Sequence, residues 1–107
     1  MYRLDPNPTF WAKVTVRPLG GGANEDFRVK FRALPASEYN AYDLNNPEQT
    51  RDFLVDTLED VEDIQTLDGK SLAYSDAIRD QLIDLSHVRL AMVNAYHATF
   101  REALSGN

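Results

Sequence analysis

The chain contains no cysteine, only two histidines and one tryptophan, and no apolar run approaching the roughly 20 residues of a membrane-spanning helix. Without cysteine there is no disulfide framework, no thiolate zinc site and no thiol nucleophile, and the composition fits a reducing cytoplasm. Residues 1–11 lack the continuous apolar stretch of a secretory signal, so a soluble protein inside the cell, with no membrane association, is expected. Internal repeats and low-complexity tracts are absent too. What is present is 107 residues, 43% of them apolar. That length suits one domain over residues 1–107, whose folding hides roughly two thirds of the extended surface.

Charge is unevenly spread. The net charge is -6 from 17 acidic and 11 basic residues. Residues 1–34 hold six basic and three acidic residues, a balance of +3, whereas residues 35–107 hold five and fourteen, a balance of -9. A basic first third attracts phosphate, but the acidic remainder repels a nucleic-acid backbone within a Debye length, so nucleic acid is a disfavoured partner.

The pattern along the chain predicts an α+β fold: an N-terminal antiparallel β-hairpin followed by three or four helices. Asp5-Pro6 and Asn7-Pro8 make residues 1–9 an extended arm. Within residues 10–34, Phe10, Ala12, Val14 and Val16 alternate with Trp11, Lys13, Thr15 and Arg17, and Phe27, Val29, Phe31 and Ala33 with Arg28, Lys30 and Arg32. These are two half-buried strands joined by a glycine-rich tip. Residues 35–107 read as mainly helical. Ser37 is placed to cap a short turn through Tyr42. Asn46-Pro47-Glu48 starts a helix running to about Asp60, with Phe53, Leu54, Leu58 and Val61 on its apolar stripe and Asp52, Asp56, Glu59, Asp60 and Asp63 outside. Asp68-Gly69 suits a two-residue type I′ turn of a small second hairpin. Ser75 caps a helix carrying Ile78, Leu82 and Leu85, and Ser86 marks a kink or restart. Val88, Ala91, Met92, Ala95, Tyr96, Thr99, Phe100 and Ala103 then form one stripe until Gly106 ends the helix.

No catalytic constellation emerges. His87 and His97 are ten positions apart, about 80° from a shared helical face, and no HExxH pair exists. Taking Gly69 as the sixth position of a calcium loop puts Ile64 first and Ser75 twelfth, where carboxylates are required. Gly20-Gly21-Gly22 lacks the lysine and the following helix of a phosphate cradle. Neither a metal nor a cofactor is implied, and the expectation is a protein that is not an enzyme. The binding candidates are Lys13, Arg17, Arg28, Lys30 and Arg32, gathered beside Trp11 on the outer hairpin face. That surface suits an acidic protein face, single-stranded nucleic acid, or protection of the hairpin from edge-to-edge pairing. The carboxylates of residues 52–63 in another copy are complementary in sign, which makes a homo-oligomer an expectation.

Leu58-Glu59-Asp60-Val61, then Asp68-Gly69-Lys70-Ser71-Leu72, Tyr74-Ser75 opening a helix with Leu82-Ile83, and Val88-Arg89-Leu90-Ala91-Met92-Val93-Asn94-Ala95-Tyr96 before Ser105-Gly106 together resemble the tail assembly chaperones of long-tailed bacteriophages. The strand pattern and the passage from Phe31 to Tyr39 are similar as well. Leu58 stands where members often carry tryptophan, and no proline lies near Ser86. The resemblance implies a phage or prophage protein of the bacterial cytoplasm that coats the tape measure protein, helps recruit tail tube subunits and is absent from the mature virion. Such families often make a longer form by a translational frameshift, whose extra domain engages the tube subunit. The alternatives are a minor tail or head-completion protein kept in the virion, and a small nucleic-acid-binding regulator using the basic hairpin. For the chaperone role, Tyr39, Tyr42, Tyr96 and Phe100 are the aromatic candidates to line an apolar groove for a helical partner.

Overall fold

Alternating apolar and charged residues build β1 (Thr9–Val16) and β2 (Glu25–Arg32), paired antiparallel from Thr9 opposite Arg32 to Val16 opposite Glu25. The computed structural model describes residues 1–105. At the hairpin tip Gly20, Gly21 and Gly22 all have positive φ, between 84° and 112°, a run that side chains with a Cβ rarely adopt.

The chain leaves β2 through Leu34 into α1 (Ala36–Tyr39). The cap expected at Ser37 is not formed. Pro35, at φ -57° and ψ 150°, begins the turn two residues earlier, and its carbonyl accepts from Glu38 N–H at 3.0 Å and Tyr39 N–H at 2.9 Å. Bonds of the same kind carry the turn to Tyr42. In α2 (Pro47–Thr57), Asn46 accepts from the backbone of Glu48 and Gln49, and Pro47 fills the first helical position, as the sequence predicts.

The helix expected to reach Asp60 stops at Thr57, and residues 58–62 form a third strand, β3 (Leu58–Glu62), antiparallel to β2. The free edge of β2 decides this. An eight-residue strand with one unpaired edge leaves backbone groups that a third strand satisfies, so the hairpin becomes a sheet of order β1-β2-β3. Leu58 and Val61 still reach the core, at 5% and 4% exposure. A register shift between Lys30 and Phe31 lets residues three apart share the inner face.

Asp63, with φ 68°, turns the chain out of the sheet. The second hairpin is present as a single bridge, Gln65 opposite Ser71. Its turn is not type I′, because Asp68 does not take positive φ. Only Gly69 does, at 87°, with its N–H donating to Thr66 O at 3.0 Å, which is a tight turn closed by a glycine bulge.

Ser75 caps α3 (Asp76–Asp84) through Ile78 N–H at 3.2 Å, and the chain restarts at α4 (Ser86–Ser105) after the extended Leu85. Leu85, expected on the stripe of α3, is half exposed, and Ile83 is its fully buried anchor. The predicted stop at Gly106 lies outside the described residues. Helices cover one face of the sheet, with α4 packed along β1. Val14, Val29, Phe31, Phe53, Leu54, Ile83, Met92 and Tyr96 form the center of the core. Among the described residues no element covers the outer face of the sheet, where Lys13 and Arg28 are exposed.

Candidate functional site

The outer sheet face contains four of the five predicted cations, Lys13, Arg28, Lys30 and Arg32, but β3 places carboxylates among them. Arg28 pairs with Glu62 at 2.9 Å and lies 4.9 Å from the Trp11 ring centroid, a cation over an aromatic face. Lys13 pairs with Asp26 at 3.4 Å. A hydrogen bond from Thr15, and then Lys13, hold the Asp26 carboxyl below its ordinary range. Arg32 reaches Glu38 at 3.9 Å and donates to the carbonyl of Asp56 at 3.3 Å. Lys30 sits opposite Asp60 in the β2–β3 register. Arg17 lies beyond β1 and apart from the row. The acids expected on one helical face are divided: Asp52 and Asp56 belong to α2, Glu59 and Asp60 to β3, and Asp63 to the following turn. The surface is therefore a mixed-charge sheet, and the matching acidic helix face does not exist as one surface.

The aromatic candidates behave differently. Tyr39 from α1 and Tyr96 and Phe100 from α4 converge with Leu34, Ala36 and His97 around a groove of about 390 Å³. Spacing explains the α4 share, since residues 96 and 100 lie one above the other on a helix. Tyr96 forms the floor at 1% exposure, and Phe100 is a wall at 40%. The Tyr96 ring stands 5.0 Å from Phe100, 4.9 Å from Phe53 and 5.4 Å from Phe31, the last two edge-on. Its hydroxyl accepts from Leu34 N–H at 3.0 Å, which fixes the corner between β2 and α1. Burial pushes that phenol above its usual pKa.

His97 is the residue that pattern reading assigned no role. Its Nε2 lies 2.7 Å from the Tyr39 hydroxyl oxygen, joining the two walls. Burial, and then the nearby charge of Arg101, lower its pKa and favour the neutral ring. The available signal was its position beside Tyr96 and three residues before Phe100. Tyr42 lies outside the groove. Its ring meets Phe53 edge-on at 5.6 Å and its hydroxyl donates to Asp56. Burial, and then the Asp56 carboxylate, push the phenol up to about 12.

Chemically, the groove offers apolar and aromatic walls with one neutral tyrosine–histidine hydrogen bond. It suits an apolar side chain that carries or lacks a single polar atom. Among the described residues no three His, Cys, Asp or Glu side chains come together as a metal-holding group, and no helix is long and apolar enough to cross a membrane. Comparison with protein-family models, with curated proteins and with solved structures gives no match.

Proposed function

We propose that this chain is a non-catalytic binding protein, a tail assembly chaperone that holds apolar stripes of the phage tape measure protein until tube subunits enclose it. The observation that carries the reading is the aromatic groove between α1 and α4, open at Phe100 and floored by Tyr96. A long, largely helical partner with apolar stripes aggregates unless those stripes are covered, and a groove for one or two side chains per copy covers a stripe when many copies bind. The net charge of -6 supports solubility of the coated partner. The resemblance to phage tail assembly chaperones names the partner class, and the groove gives the means of holding it.

Co-expression with tape measure fragments tests the reading. The chain raises the soluble fraction of such a fragment and is retained on it, whereas Phe100→Ser, which opens an already half-exposed wall, loses both effects while remaining folded. Unchanged fragment solubility overturns the coating role. Mass spectrometry of purified virions separates this reading from that of a retained structural protein, since a coating protein is absent from the particle.

A further inference from the structure

A second concavity, of about 450 Å³, lies at the opposite end of β1 from the aromatic groove, between the hairpin tip and the junction of α3 with α4. Phe27, Leu82 and Val88 line its interior, and Leu19 and Leu85 stand at its mouth at 77% and 50% exposure. The polar part of the lining is Glu25, Asp26 and Asp63 with Gln65 and His87, so its carboxylates outnumber its one imidazole. Asp26 is paired with Lys13, but among the described residues no salt bridge engages Glu25 or Asp63. An apolar cleft with two unneutralised carboxylates fits a short segment carrying apolar side chains around a cation.

The chain holds such a segment. Residues 1–4 read Met-Tyr-Arg-Leu, with Tyr2 and Leu4 at 83% and 82% exposure, and no salt bridge engages Arg3 among the described residues. Asp5, the one acid nearby, accepts from Asn7 N–H at 2.9 Å. The arm cannot fill the cleft of its own copy. Pro8 O accepts from Ala33 N–H at 2.9 Å and fixes the arm's exit at the start of β1. The cleft lies beside Val16, about 23 Å along the strand at ~3.3 Å per residue. Four residues lie between Leu4 and Thr9, and the five Cα steps from one to the other span at most about 18 Å, so the segment through Leu4 cannot seat there.

We propose that residues 1–4 of one copy insert into the acid-rimmed cleft of the next, Tyr2 and Leu4 entering the apolar interior and Arg3 meeting Glu25 and Asp63. The contact joins two different surfaces, so each joined pair keeps one free arm and one free cleft and assembly proceeds head to tail. Four inserted residues bury far less than the roughly 1,200 Å² of a stable interface, so the association is weak and concentration-dependent. It does not depend on which partner fills the aromatic groove.

Sedimentation of the full chain across a concentration series tests this. The weight-average mass rises with concentration, and either Tyr2→Ser with Leu4→Ser or Leu19→Ser with Leu85→Ser, all at exposed positions, removes the rise. An equimolar mixture of those two doubly substituted chains retains one working arm and one working cleft, so it stops at dimers. Arg3→Glu alone and Glu25→Arg alone each weaken association, and combining them in one chain restores it. A chain that stays monomeric at every concentration overturns the proposal, as does a rise in mass that both paired substitutions leave unchanged.

Discussion

At Tyr96 one hydroxyl accepts the amide proton of Leu34 in a site with 1% of the tyrosine exposed. Tyr96→Phe keeps the ring stack that floors the groove but leaves a buried N–H without its partner, at a cost of about 1–3 kcal/mol. Urea denaturation checks this, and a midpoint equal to that of the wild type would show that the bond contributes nothing net. His97 behaves in the opposite sense to a surface histidine. Its folded pKa lies below the unfolded value of about 6.5, so the unfolded chain takes up the proton first as pH falls. The stability that neutral His97 contributes is therefore fully present above about pH 6.5 and is lost as pH falls through the folded value. His97→Gln can still bond Tyr39 but does not titrate. Its urea midpoint should fall less than that of the wild type between about pH 7.5 and pH 5, and parallel falls would refute the assignment.

Elements record where sequence pattern suffices and where it does not. Asn46, Pro47 and Glu48 announced the start of α2 because capping is local chemistry, and the cap is there, with Asn46 Oδ1 accepting at 2.9 and 3.2 Å. Asn46→Ala should cost ~0.5–2 kcal/mol, read from a thermal or urea midpoint, with the sheet unaffected by far-ultraviolet circular dichroism. The end of α2 was not legible. Leu58 and Val61 are three apart, a helical spacing, and the irregularity opposite Lys30 and Phe31 puts residues of that spacing on one face of a strand too. Local periodicity could not separate the two, because the deciding factor was the unpaired edge of β2, some thirty residues earlier in the chain. The groove was half legible for the same reason. Tyr96 and Phe100 follow from helical spacing and Tyr39 was named with them as an aromatic candidate, whereas Leu34 and Ala36 join them only through long-range packing.

Across the whole molecule, folding undoes the charge asymmetry that the linear sequence displays. The outer sheet face gathers Lys13, Arg28, Lys30 and Arg32 from the basic third and places Asp26, Asp60 and Glu62 beside them, so four cations face three carboxylates. A nearly neutral surface releases few counterions and gives nucleic acid little to bind, although Trp11 offers a ring for stacking. The arrangement can be inverted without touching the core, since Asp60 and Glu62 lie on the outer side of an edge strand. Asp60→Lys combined with Glu62→Lys leaves one carboxylate among six cations around Trp11. The chain has a single tryptophan, so its fluorescence reports this face alone. Titration with single-stranded oligothymidine at low salt should leave the wild-type signal flat and quench the doubly substituted chain, with the quenching reversed by added salt. Quenching of the wild type under the same conditions would show that the carboxylates of β3 do not shield the cations, and would return the sheet face to the list of nucleic-acid surfaces.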